Sequence, residues 1–169
     1  MSKNVQIKDI PVRPHVRQFL IGEYGQEPIV AHSKNMIGST VVLVAQKLPY
    51  DLAAPKPVQV TSSIRIKLPL SLKHHKITAQ KGEKLGYAFE KLFQLALVQF
   101  IKGQVALSDN EGHAINSFYA LYDINPDDYD VESARKCWRD YKEAEYKRGV
   151  RASEKSIVAW KNKFNSLAK

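Results

Sequence analysis

The apolar positions change period several times along the chain, and each change marks an element. Val5 and Ile7 alternate with polar neighbours in NVQIKDI (4–10), which predicts a short strand. In PVRPHVRQFLIGEYG, Pro14 suits a first helical turn, Val16, Phe19 and Leu20 share a face, and Gly25 suits a helix end. PIVAH (28–32) predicts a second short strand. In MIGSTVVLVAQKL, Ile37, Val41, Val44 and Leu48 follow helical spacing behind Ser33 or Asn35 as cap. The β-branched run TVVLV fits a strand as well as a helix, and periodicity alone does not choose between them.

PYDLAAPKP (49–57) has three prolines and no periodicity and reads as a linker. The clearest strand follows in VQVTSSIRIKLPL, with Val58, Val60, Ile64, Ile66 and Leu68 alternating against Arg65 and Lys67. From about residue 79 the period becomes helical. Leu85, Ala88, Phe89, Leu92, Phe93, Ala96 and Phe100 form one stripe, widened by Leu95, Leu97 and Ile101, with Gly103 as the expected stop. Ser108 to Glu111 reads S-x-x-E, a capping box for a helix that turns Ala114, Ile115, Phe118 and Tyr122 inward. DINPDDYD (123–130) breaks that helix at Pro126. Asp128 or Asp130 then caps a helix with the stripe Val131, Ala134, Trp138 and Tyr141. Gly149 is expected to end it, and Ser153 to open a last helix carrying Ile157, Trp160, Phe164 and Leu167.

These elements predict an α+β fold in which short N-terminal strand and helix elements precede a C-terminal bundle of about four helices. Residues 1–57 form a small α/β segment, and residues 58–169, a strand plus the bundle, form one compact domain with it. The chain has 169 residues, 44% of them hydrophobic and 25% charged, which supports a conventional core without staples. Its single cysteine, Cys137, excludes an internal disulfide. With no signal-like apolar stretch at the N-terminus and no span-length apolar run, the expectation is a cytoplasmic protein that does not enter a membrane.

Charge changes the picture more than composition does. The net charge is +9, distributed unevenly: residues 61–107 carry +6, residues 108–131 carry six acids and no Lys or Arg, and residues 132–169 carry +6. Two basic segments therefore flank an acidic connector, a balance that favours polyanionic partners. The connector itself suits the start of a helix, where negative charge is favoured.

Motifs that carry chemistry are absent. The chain has no G-x-G-x-x-G, Walker A, H-E-x-x-H or G-x-S-x-G. The neighbours His74 and His75 do not share a helix face and so match one metal poorly. Asp123, Asp127, Asp128 and Asp130 lack the spacing of a calcium loop. The expectation is a protein without enzymatic activity, cofactor or metal.

The stretch SARKCWRDYK (133–142) interleaves basic and aromatic residues. On a helix the aromatics Trp138 and Tyr141 turn inward, while Arg135, Arg139 and Lys142 gather on another face near Lys136 and Lys147. Such a face can follow a phosphate backbone. Arg65 and Lys67, with Lys73 and Lys76, form a second basic candidate, read either as a backbone contact or as a Lys-guarded sheet edge.

AINSFYALY, then DINPDDYD, then VESARKCWRDYK resemble the helix-turn-helix pairs of DNA-binding proteins from phages and mobile elements, over about forty residues (109–148). The turn here is longer than usual and has no central glycine. The resemblance implies duplex DNA as partner, with Ser133, Arg135, Lys136 and Arg139 facing a groove because the early turns of a recognition helix approach the bases. The second expectation is a structural or assembly protein whose basic surface meets an acidic partner. There Trp138, Trp160 and Phe164 serve as anchors, and self-association through the last helix is one form of it.

Overall fold

The computed structural model describes residues 6–32, 34–47, 62–68, 72 and 77–167; for 46–47 and 152–167 only the course of the backbone is described. The fold is α+β. Its elements are β1 (Ile7–Val12), α1 (Pro14–Tyr24), β2 (Ile29–Val30), α2 (Met36–Lys47), β3 (Ser62–Lys67), α3 (Ala79–Ser108), α4 (Glu111–Tyr122) and α5 (Val131–Leu167). The chain divides into two compact units, residues 1–130 and residues 131–169.

In the first unit the strands form one sheet in the order β1-β3-β2. β3 pairs antiparallel with β1, placing Asp9 opposite Arg65 and Ile10 opposite Ile64, and parallel with β2, placing Ile29 opposite Ile66. The period-2 pattern sorts the faces: Ile10, Val12, Ile64 and Ile66 are buried, whereas Ile7, Asp9 and Arg65 are exposed. Lys67 lies between Ile7 on one neighbouring strand and Val30 on the other. The sheet joins strands from both sides of the proline-rich 49–57, which lies outside the described residues, as do Ser33, Leu48, Val58 and Val60.

α1 begins at Pro14, whose ring presets helical φ, and ends where the Gly25 N–H bonds the Ile21 carbonyl at 2.8 Å. For residues 36–47 the structure selects helix over strand. Asn35 decides it: its Oδ1 accepts from the Gly38 N–H at 2.7 Å and the His32 N–H at 3.2 Å, while its Nδ2 donates to the Val30 carbonyl at 3.1 Å. Ile37, Val41, Val44 and Ala45 are then buried and Leu43 is exposed, a helical rather than an alternating pattern. Only glycine fits at 38, since a Cβ there would lie 1.8 Å from the His32 carbonyl oxygen.

α3 starts at Thr78, whose hydroxyl accepts from the Lys81 N–H, and buries Leu85, Phe89, Phe93, Leu97 and Ile101. It passes through the expected stop at Gly103 and runs five residues further. A helical glycine costs about 1 kcal/mol against alanine, too little to end a long, well-packed helix. The end comes at Asp109, in the left-handed region at φ 52°. The capping box expected from Ser108 is also replaced. The Ser108 hydroxyl donates back to the Gln104 carbonyl, and Asn110 caps α4 by accepting from the His113 N–H at 2.9 Å. Leu95 is exposed rather than part of the apolar face.

α3 meets β1 closely at Gly86, where a Cβ would lie 2.1 Å from the Pro11 carbonyl oxygen. Behind this contact sits an aromatic core. Phe93 lies edge-on to Phe19 at 5.7 Å, Phe118 at 5.9 Å and Tyr129 at 5.1 Å between centroids. Of the stripe expected on α4, Ala114, Ile115 and Phe118 are buried with Tyr119, and Tyr122 is half-buried.

The second unit is one helix. α5 spans 37 residues without the expected break at Gly149 or new start at Ser153, so among the described residues three α-helices follow β3 where about four were expected. The residues around Gly149, including Ala144, Glu145, Lys147, Arg148 and Ala152, are strong helix formers that carry it through.

Candidate nucleic-acid interface

The amphipathic pattern of 131–148 places the candidate residues on α5. Ala134 and Trp138 are buried. Arg135, Lys136, Arg139 and Lys142 are exposed and Ser133 is half-buried. Spacings of four and three residues put Arg135, Arg139 and Lys142 within an arc of about 60°. Their charge is partly balanced along the helix. Arg135 pairs with Glu132 at 2.5 Å and Lys147 with Glu143 at 2.5 Å, one turn apart in each case. The Lys142 Nζ lies 5.4 Å from the centre of the Trp138 ring, which itself stacks on Tyr141 at 5.7 Å. Trp138 is thus a shielded platform for a cation, not an open one for a base.

Arg65 and Lys67 occupy β3 in the first unit. β3 is the central strand, so the reading of a Lys-guarded edge does not hold. Arg65 is committed to protein partners: its Nε donates to the Glu27 Oε2 at 3.3 Å, and the Arg17 Nε donates to the Glu27 Oε1 at 3.1 Å. Burial alone would push the Glu27 carboxyl up. The hydrogen bonds from Arg17 and Arg65 outweigh it and hold the carboxyl below the usual range. Lys73, Lys76 and the His74-His75 pair lie outside the described residues.

Sequence reasoning missed a buried polar cluster in the first unit. His15, 1% exposed, presents Nε2 to a Glu90 carboxylate oxygen at 3.3 Å and Nδ1 to the Asp128 carbonyl at 3.2 Å. Arg13 approaches Glu90 at 3.7 Å. A carbonyl can only accept, so in the contact to Asp128 it is Nδ1 that donates. The His15 ring packs against Phe93 at 4.8 Å and Tyr129 at 4.6 Å. The Tyr119 hydroxyl donates to the carbonyls of Tyr129 at 2.8 Å and Asp130 at 3.2 Å. Burial and then the Asp130 charge push the Tyr119 hydroxyl up to about 12. The connector is therefore pinned by three successive main-chain carbonyls. One sequence signal was available: Glu90 is a carboxylate inside the buried stripe of the central helix, and such a group needs a partner.

Among the described residues no three His, Cys, Asp or Glu side chains gather to hold a metal ion, and no helix is long and apolar enough to cross a membrane. Cys137 is half-buried on α5. No protein-family model, curated protein or solved structure matches the chain.

Proposed function

We propose that this protein binds nucleic acid, DNA in the first instance, as an accessory or regulatory factor of the kind phages and mobile elements use. The exposed stripe Arg135, Arg139 and Lys142 on α5, with Lys136 beside it, carries this reading. The helix, acidic turn and basic helix over 111–148 support it by their order. Phosphate contacts from four cations supply affinity, and Ser133 adds a polar contact at the first turn. Arg65 and Lys67 contribute less, because Glu27 already holds Arg65.

The test is binding of the purified, nuclease-treated protein to random-sequence DNA across a salt series. Four phosphate contacts on duplex DNA give a log–log slope of about −3.6, from about −0.9 per contact. Arg135→Ala and Arg139→Ala should each make it shallower by roughly one contact. No binding at low salt overturns the reading.

A second reading, an interaction protein for an acidic partner, draws on the open sheet face. There Ile7 and Val30, exposed by 51% and 40%, flank Lys67. Substituting Ile7 and Val30 by Ser, with α5 intact, separates the two readings: only the second loses binding.

A further inference from the structure

The basic stripe of α5 does not stop at Lys142. Its spacing, Arg135, Arg139, Lys142, continues by four residues to Tyr146, which falls within the same arc of about 60°. Tyr146 is 74% exposed, the most exposed aromatic among the described residues. Three residues on, the stripe reaches Gly149, where a Cβ would meet nothing within 4 Å. The ring therefore has three cations on its N-terminal side along the helix, and the next stripe position on its C-terminal side, Gly149, carries no side chain. Its setting is unlike that of Trp138, which is 6% exposed and has Lys142 over its ring.

An exposed ring in line with phosphate-binding cations suits one ligand chemistry above others. Cations follow the backbone of any nucleic acid, but a ring that stands out from the helix has a stacking partner only where a base is unpaired. Paired bases in a duplex keep their faces against each other and offer a protein ring nothing flat. Gly149, three residues on, adds no side chain of its own to the stripe, and a Cβ there would meet nothing within 4 Å. We propose that the α5 stripe takes nucleic acid with unpaired bases, one of which stacks on Tyr146 while Lys142, Arg139 and Arg135 follow the adjoining phosphates. This rests on the nucleic-acid reading above and narrows its ligand.

Fluorescence anisotropy with labelled oligothymidylate and with a blunt duplex of equal length tests it. The unpaired strand should bind more tightly. Tyr146→Ala should weaken strand binding about tenfold, the stacking of a single base. Tyr146→Phe should keep wild-type affinity, and the duplex should be indifferent to both. An exposed tyrosine leaves the fold intact, which circular dichroism checks. If the duplex binds as tightly as the strand and Tyr146→Ala changes neither, this inference fails while the broader reading stands. If neither probe binds at low salt, both fail. If Tyr146→Ala instead converts a dimer to a monomer in sedimentation, the ring serves self-association and the inference is overturned.

Discussion

The His15 Nε2 lies 3.3 Å from a Glu90 carboxylate oxygen, joining α1 to α3 across 75 residues of sequence within the aromatic core. Removing one partner of such a buried pair leaves the other without compensation, at a cost of about 3–5 kcal/mol. His15→Ala and Glu90→Ala should each lower the free energy of unfolding by about 3 kcal/mol in urea titrations. The double substitution His15→Phe with Glu90→Met should cost less than either, because it removes both polar groups and keeps volume. If His15→Ala with Glu90→Ala together cost the sum of the two single changes, the pair is not coupled.

Glycine-to-alanine changes on α3 should have opposite signs. At Gly86 the new methyl would meet the Pro11 carbonyl oxygen at 2.1 Å, forcing the helix off β1 at a cost of about 1–3 kcal/mol. At Gly103 it would meet nothing within 4 Å, and the gain in helix propensity should raise stability by about 0.5–1 kcal/mol. Thermal unfolding of the two variants decides both signs.

Stability should fall at both ends of the pH range, for separate reasons. The folded Glu27 carboxyl titrates below its ordinary 4.5, so its contribution is full above that value and is lost as pH falls through the folded one. The Tyr119 hydroxyl is raised from 10.0 to about 12, so its contribution is full below 10.0 and is lost as pH rises towards about 12. Glu27→Gln should flatten only the acid limb of a stability–pH curve, and Tyr119→Phe only the alkaline limb. Added salt should weaken the Glu27 effect, since Arg17 and Arg65 are substantially exposed.

The two basic candidates should separate by phenotype. Arg139→Ala should reduce binding of nucleic acid and leave the unfolding midpoint unchanged. Arg65→Ala should lower the midpoint, by loss of the Glu27 contact, and leave the salt slope of binding nearly unchanged. Measuring both properties on both variants is the check.

Elements governed by local chemistry were legible in the sequence. Pro14, Gly25 and the alternation around Ile64 and Ile66 act within a few residues, and they mark α1 and β3 directly. The ambiguity of TVVLV was settled by Asn35, whose hydrogen bonds to Val30, His32 and Gly38 require a close turn that periodicity cannot reveal. Gly103 and Gly149 read as stops because glycine weakens a helix, yet the neighbouring helix formers and, for α3, core packing outweigh them. The basic face of α5 followed from helical spacing alone, and Tyr146 was legible by the same rule. The His15–Glu90 pair was not, because a contact 75 residues apart depends on how α1 packs on α3.

The acidic connector is recognised through its main chain. His15 and Tyr119 hold the carbonyls of Asp128, Tyr129 and Asp130, groups that every amino acid possesses. These anchors take nothing from the carboxylates of Asp127 and Asp128, although the Asp130 charge does act on the Tyr119 hydroxyl. Asp127 and Asp128 can be exchanged for neutral residues without loosening those anchors, which makes the connector a place where the chain's net charge, and so its affinity for polyanions, can be retuned independently of its fold.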